Sequence, residues 1–270
     1  MSFLIYNNEL YPATETLFGT GNRAFRFGEG LIETMRWRGG QVRFFNDHME
    51  RLAGSLAILG WPGFPLNSQQ LQQEIDRLVT SNAGAGDLMI RLQVFPAAAG
   101  DTLHFLLECL PLDPARVSWQ EKGLQTGIGK RVVKSPDSIA NLKTTSRLNY
   151  TIATQEAAQQ GWDDILVKGP PGYIVESSIS NLFWIASDGI YTPPLSSGCI
   201  AGIMRKKLLQ TETLAGLRIQ ERETWPEDLA HAQEIFLSNA IRGIQPVAQL
   251  NGKDYPSVIT RNIFTQFDTL

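Results

Sequence analysis

The sequence predicts a mixed α/β protein of the α+β kind, folded as two domains. Three observations predict it. Strand-like apolar runs and helix-period stripes are interleaved along the chain. At 270 residues there is room for two domains of ordinary size, each with an apolar core. A stretch containing Pro111, Asp113, Pro114 and Gly123 then separates a first segment from a strand-rich second one. The domains are placed at residues 1–112 and 124–270, with 113–123 as the linker.

In the first domain, residues 3–6 read as a short strand before the Asn7-Asn8 turn, and 31–36 as another ending at Gly39-Gly40. Gly28 and Gly30, two apart, serve either a turn or a close backbone approach to a ligand. A helix follows, with Asn46 as N-cap, Asp47 and Glu50 in its first turn, and Met49, Leu52, Leu56 and Leu59 as its apolar stripe before Gly60. His48 and Arg51 lie beside that stripe. Residues 68–82 give a second helix around Leu71, Ile75, Leu78 and Val79. Residues 87–95, which include Arg91, and 102–110 then read as antiparallel strands joined through 96–101.

The second domain opens on a strand over 124–133 and a polar turn from Lys134 to Asp137. A helix is expected over 146–160, closed by Gly161, and hairpins over 164–177 and 181–191. A helix opened by Cys199 to Gly202 is expected to reach about 215, with its exposed first N–H groups suited to a phosphate. A short helix from Pro226 to 232, a strand over 234–238 and a terminal helix over 256–267 complete the chain.

Composition excludes several classes of function. A net charge of -3 with dispersed basic residues argues against a nucleic-acid surface. No apolar run is long enough to span a bilayer, and no secretory signal is visible, so a cytoplasmic protein is expected. Cys109 and Cys199 are 90 positions apart, and His48, His104 and His231 are scattered, so neither a metal site nor a disulfide framework is suggested.

The chemistry concentrates at residues 173–184, where two β-prone runs flank Glu176 and the small polar residues Ser177, Ser178, Ser180 and Asn181. A carboxylate at the mouth of a buried strand needs a cation or strong donor, such as a protonated ring nitrogen of a cofactor; otherwise it must turn to water. Lys143 sits where apolar 139–142 gives way to Thr144, Thr145 and Ser146. Burial there would favour its neutral amine, the form that acts as nucleophile and proton carrier, whereas a solvated lysine is the plainer alternative. An amine, a carboxylate and an anion seat together suggest pyridoxal 5′-phosphate, with Lys143 for the Schiff base, Glu176 for the pyridinium, and Arg51 and the Gly202 helix start for the phosphate.

Five ordered motifs carry a family resemblance. They are Asn46-Asp-His-Met-Glu-Arg51-Leu52, Asn141-Leu-Lys143, Val175-Glu176 through Asn181-Leu-Phe183, Gly202-Ile203-Met204-Arg205, and Ser238-Asn239-Ala240 with Pro246-Val247. The chain resembles the fold-type IV, class IV aminotransferase family of pyridoxal phosphate enzymes, of the D-amino acid aminotransferase-like fold. The resemblance implies that Lys143 is catalytic and binds the cofactor covalently, that Glu176 pairs with the ring nitrogen, and that Arg51 binds the phosphate. Ser180, Asn181, Gly202, Ile203, Met204, Asn239 and Ala240 are implied to complete the cofactor site, and Ile32 and Arg91 to face the substrate. A homodimer acting on a small amino substrate, with no membrane or nucleic-acid partner, is also implied.

Within the family, Lys143 followed by Arg147-Leu148, Asn181-Leu-Phe-Trp184 and Gly202-Ile-Met-Arg205 is similar to aminodeoxychorismate lyase; many transaminases have Gly-Ile-Thr at the last site. The resemblance therefore implies conversion of 4-amino-4-deoxychorismate to 4-aminobenzoate and pyruvate. The alternative is a class IV aminotransferase acting on branched-chain or D-amino acids. A catalytically inactive cofactor-binding protein is the third reading, opposed by the intact Lys143, Glu176 and Arg51. Residues 96–101 lack the Arg and Tyr that such lyases often carry, and Asp101 would repel an acidic substrate. Arg205 and Arg242 read first as surface residues, with a substrate carboxylate as the alternative partner.

Overall fold

The structure, a computed structural model, describes residues 2–98 and 102–268. It divides into two compact units, Met1–Pro114 with Leu142–Ser146, and Ala115–Asn141 with Arg147–Leu270. A single boundary within 113–123 misses the return of Leu142–Ser146 to the first unit. That return rests on backbone pairing, which periodicity does not register.

The first unit contains β1 (Phe3–Tyr6), β2 (Glu9–Pro12), α1 (Arg23–Phe27), β3 (Leu31–Arg38), β4 (Gln41–Val42), α2 (Phe45–Ile58), α3 (Ser68–Ser81), β5 (Leu88–Pro96) and β6 (Leu103–Pro111). Among the described residues its strands form one antiparallel sheet in the order β2-β1-β6-β5-β3-β4. Alternation assigns the faces. Leu31 and Met35 of β3, Ile90, Leu92 and Val94 of β5, and Phe105 and Leu107 of β6 are buried with Leu52, Leu56, Leu71, Ile75 and Leu78 of α2 and α3. Asn67 caps α3: its side chain accepts from Gln70 N at 2.9 Å, and the Gln70 side chain accepts from Asn67 N at 2.9 Å.

The start of α2 differs from the expectation. Asn46 lies inside the helix, and Phe44, at φ 55°, is the cap. The reason is the β3–β4 hairpin, whose pairing runs on to Arg43 N and Arg36 O at 2.8 Å, so the chain turns abruptly at Phe44. Asp47 keeps its place in the first turn, where it suits the helix dipole.

The second unit contains α4 (Pro114–Val117), β7 (Leu124–Val133), α5 (Leu148–Gln160), β8 (Asp164–Lys168), β9 (Ile174–Ser177), β10 (Asn181–Ala186), β11 (Gly189–Thr192), α6 (Ile203–Gln210), β12 (Thr213–Leu214), β13 (Leu217–Glu221), α7 (Pro226–His231), β14 (Glu234–Asn239), β15 (Gly243–Leu250), β16 (Lys253–Asp254) and α8 (Val258–Asp268). Among the described residues the sheet runs β12-β13-β11-β10-β14-β15-β7-β8-β9, with β16 on β15. It is mixed, with β7 parallel to both β15 and β8. Phe183 and Phe236 stack in its core at 4.9 Å between ring centroids.

Helix α6 stops at Gln210, short of the expected 215. Ala215 and Gly216, at φ 49° and 79°, form the tight turn of the β12–β13 hairpin, which ends the helical run. Helix α5 begins at Leu148 and ends, as expected, at Gly161, whose φ is 73°. Strand β15 is not announced by the sequence, since Pro246 interrupts its β-prone run. Pro246 stands opposite Phe236, and pairing to β7 starts only at Val247, so its missing N–H costs no bond to that neighbour. Among the described residues no helix is long and apolar enough to cross a membrane, no metal-binding cluster occurs, and both cysteines are free and buried.

Candidate active site

In the second unit the site is built on the end of β9. Glu176 is 2 % exposed, so it does not point to water. Its cation is Lys134, which the sequence reading left in a polar turn. Lys134 Nζ donates to Glu176 Oε1 at 2.6 Å and to the Tyr150 hydroxyl at 2.7 Å, and that hydroxyl donates to the same Oε1 at 2.7 Å. Burial, reinforced by the Glu176 charge, pushes the Tyr150 phenol far upward and keeps it a donor. The other oxygen, Oε2, accepts from Ile200 N at 3.0 Å and, more weakly, from Asn181 Nδ2 at 3.5 Å. Removing one partner of a buried ion pair of this kind typically costs about 3–5 kcal/mol.

The serines after Glu176 are ordered by Asp164 at the start of β8. Its carboxylate accepts from Ser177 Oγ at 2.7 Å, Ser178 Oγ at 2.6 Å and Ile165 N at 2.8 Å. Burial outweighs these donors and leaves its pKa above the ordinary aspartate value. Ser180 is tied back by its N–H to Ser177 Oγ at 3.0 Å, and its own Oγ accepts from Asn239 Nδ2 at 3.0 Å. Asn239 Oδ1 in turn accepts from Ile241 N and Arg242 N at 3.0 and 2.8 Å, shaping the turn that holds Ala240.

Asn181 opens β10 opposite Ser238 of β14 and donates to Ile200 O at 2.9 Å. Its Oδ1 lies against Gly202, where an added Cβ would stand 1.9 Å away, so a larger residue there would force Asn181 or the helix start to move. The N–H groups of Ile203 and Met204 precede the first helical bond of α6, from Lys206 N to Gly202 O at 2.9 Å. Such leading N–H groups are anion donors. Arg205 corrects the expectation of a surface residue: it is 4 % exposed, donates to Pro193 O at 2.9 Å and pairs with Glu221. The apolar phase of α6 places it inward.

In the first unit the segment Leu142–Ser146 lies along the start of β3. Ile32 N donates to Lys143 O at 2.9 Å, Thr145 N to Gly30 O at 2.8 Å, and Thr145 Oγ1 to Gly28 O at 3.0 Å. The paired glycines admit this segment: a Cβ on Gly30 would fall 2.7 Å from Thr145 Oγ1. Lys143 is half-buried there.

Glu33, which the sequence reading passed over, is 3 % exposed. It accepts from Arg51 Nε at 2.8 Å, pairs with Arg51 Nη2, and meets His48 Nδ1 at 2.6 Å. Burial alone would raise its pKa, but the Arg51 charge and the His48 bond prevail and hold it at about 2. A signal was present: Leu31, Glu33 and Met35 share one phase of the strand, which puts an acid among core residues.

Ile32 and Arg91 lie on the opposite sheet face from Glu33 and Arg51. Ile32 pairs with Gln93, and Thr34 with Arg91, so the two expected substrate residues are diagonal neighbours. Arg91 Nη1 donates to Glu108 Oε2 at 3.3 Å. Of the loop that departs from the lyase pattern, Ala99, Gly100 and Asp101 lie outside the described residues.

The family model for amino-transferase class IV matches residues 30–250. The aminodeoxychorismate lyase of Vibrio harveyi is 23% identical over 262 residues, covering 92% of this chain and 95% of the relative. The D-alanine aminotransferase of Bacillus licheniformis is 24% identical over 271 residues, covering 97% and 94%. Among solved structures, the pyridoxal phosphate-bound form of a hypothetical aminotransferase from Mycobacterium tuberculosis superposes with a TM-score of 0.87 at 20% identity, covering 98% of this chain and 96% of that one. This likeness shows a shared fold. The match to residues 30–250 takes in every motif of the site, and the chain belongs to the class IV aminotransferase family.

Proposed function

We propose that this chain is a pyridoxal 5′-phosphate-dependent lyase that converts 4-amino-4-deoxychorismate to 4-aminobenzoate and pyruvate, a step toward folate. The observation that carries the cofactor assignment is Glu176. It is a buried carboxylate whose Oε2 has a single well-placed donor among the described residues, so it retains accepting capacity for a ring N–H. The other groups fit the same ligand. The first N–H groups of α6, closed in by Gly202, suit a phosphate dianion, as does Arg51, and Lys143 supplies the amine. The Gly202-Ile203-Met204-Arg205 start, the Arg147-Leu148 pair and the Vibrio harveyi relative support the lyase.

Bound pyridoxal phosphate supplies a ring that takes up the electron pair left when a bond at the amine-bearing carbon breaks. Glu176 would hold the ring N–H, and the first N–H groups of α6 and the Arg51 guanidinium would hold the phosphate. Lys143 would be the proton carrier: its free amine would take the proton from the carbon bearing the substrate amine, the ring carbon–oxygen bond to the enolpyruvyl group would break as the ring becomes aromatic, and the proton would pass to the methylene carbon of the departing fragment to give pyruvate. Ile32 and Arg91 face the substrate.

A second reading, transamination of branched-chain or D-amino acids, is favoured by the Ile32, Gln93 and Leu106 row, which offers an apolar side chain two partners. There Lys143 would return the proton to the cofactor instead. The two readings separate when the cofactor-loaded protein is mixed with 4-amino-4-deoxychorismate, and separately with L- and D-amino acids without a keto-acid acceptor. Release of 4-aminobenzoate and pyruvate establishes the lyase; stoichiometric conversion of the cofactor to pyridoxamine phosphate by an amino acid refutes it. The working unit is a cytoplasmic homodimer. Exposed Phe18, Phe25 and Phe27 on the first unit support a second copy as partner, and light scattering of the purified protein tests this.

A further inference from the structure

We infer that Lys134 is a positioning residue that sets how strongly Glu176 holds the cofactor's ring proton. The inference rests on the pyridoxal phosphate reading above and concerns a residue outside the motifs that suggested it. A carboxylate oxygen accepts about two hydrogen bonds. Glu176 Oε1 has both, from Lys134 Nζ at 2.6 Å and Tyr150 at 2.7 Å. Lys134 and Tyr150 also bond each other at 2.7 Å, so the three groups close a triangle on one edge of the carboxylate.

The remaining edge is Oε2. Ile200 N holds one of its directions at 3.0 Å. Asn181 Nδ2, at 3.5 Å, makes its better bond to Ile200 O at 2.9 Å and holds the other direction weakly. Oε2 is therefore the oxygen suited to a ring N–H, and Oε1 is the anchor. The anchor is also a charge. With Lys134 beside it, a ring nitrogen meets a neutral ion pair rather than a bare carboxylate, and the pull on its proton is correspondingly smaller. Lys134 is only 12% exposed in its side chain, so water screens this effect little.

Replacing Lys134 by Met leaves a buried carboxylate whose best cationic partner is the cofactor itself. Stability and cofactor binding then become more tightly coupled. The experiment compares wild type with Lys134→Met in thermal unfolding and equilibrium binding, without ligand, with pyridoxal phosphate, and with its 1-deaza analogue, in which a C–H replaces the ring nitrogen. The expected result is a larger cofactor-induced rise in melting temperature for Lys134→Met. The preference for pyridoxal phosphate over the deaza analogue grows roughly tenfold, equivalent to about 1.4 kcal/mol. The 15N resonance of the labelled ring nitrogen moves toward the protonated position.

If wild type takes up neither ligand, the cofactor reading and this inference both fail. If wild type binds pyridoxal phosphate but the preference is unchanged in the variant, or both ligands gain equally, the inference fails and the cofactor reading stands. Should Lys134→Met not fold, Tyr150→Phe removes the second anchor at no cost in charge. It is expected to shift the preference the same way, by less, and an unchanged preference there overturns the inference.

Discussion

Replacing Glu33 by Gln exposes how much of the first unit depends on a buried charge. Glu33 is held at about 2 against an ordinary 4.5 because Arg51 and His48 outweigh the effect of burial. That depression corresponds to about 3 kcal/mol of stability at neutral pH. An independent estimate agrees, since removing one partner of a buried ion pair and stranding the other costs about 3–5 kcal/mol. The folded value lies below the unfolded one, so the contribution is fully present above about pH 4.5 and is lost as pH falls toward about 2. Urea unfolding followed by tryptophan fluorescence should show Glu33→Gln less stable by about 3 kcal/mol at about pH 7, with the gap to wild type narrowing to roughly half by about pH 3 and closing only as pH falls toward about 2. A gap under about 1 kcal/mol at neutral pH, or one that does not change with pH, would refute the assignment of the stabilisation to this carboxylate. The variant should also bind pyridoxal phosphate about tenfold more weakly, because the Arg51 fork loses the acceptor that orients it.

Lys143→Ala should abolish covalent attachment of the cofactor, seen as loss of its visible band, and lower turnover by at least about a thousandfold. Gly202→Ala drives a Cβ into Asn181 Oδ1 and must shift the start of α6; titration should show cofactor affinity reduced about tenfold or more, and calorimetry a loss of about 1–3 kcal/mol. Asp164→Ala should cost about 3 kcal/mol, whereas Asp164→Asn should cost only about 1 kcal/mol, because burial already disfavours the charge and the Ser177 hydroxyl can reverse its role. Equal losses in the two Asp164 variants would show that the charge, rather than the hydrogen bonds, organises the serine turn.

What the sequence revealed and what it concealed divide along a physical line. Local patterns were legible: the alternation of β5 and β6, the stripe of α3, and the αL glycine closing α5 each depend on residues within one element. The ordered motifs singled out Lys143, Glu176 and Gly202 as candidates because they stand on or beside such elements. Lys134 and Tyr150 were missed because each stands apart from Glu176, 42 and 26 positions away, and neither breaks a local pattern. Glu33 shows the intermediate case, since its phase in β3 marks it as buried while its partners lie 15 and 18 positions on, in α2. A buried carboxylate announces that a cation must exist without saying where it is. At Glu176 the sequence admitted a cofactor nitrogen as that cation, and the fold supplies a lysine as well. On the proposed assignment, the chemistry of this site would turn on how two cationic partners, Lys134 and the ring nitrogen brought by the ligand, share a single carboxylate, and the placement of Lys134 beside Glu176 is tertiary.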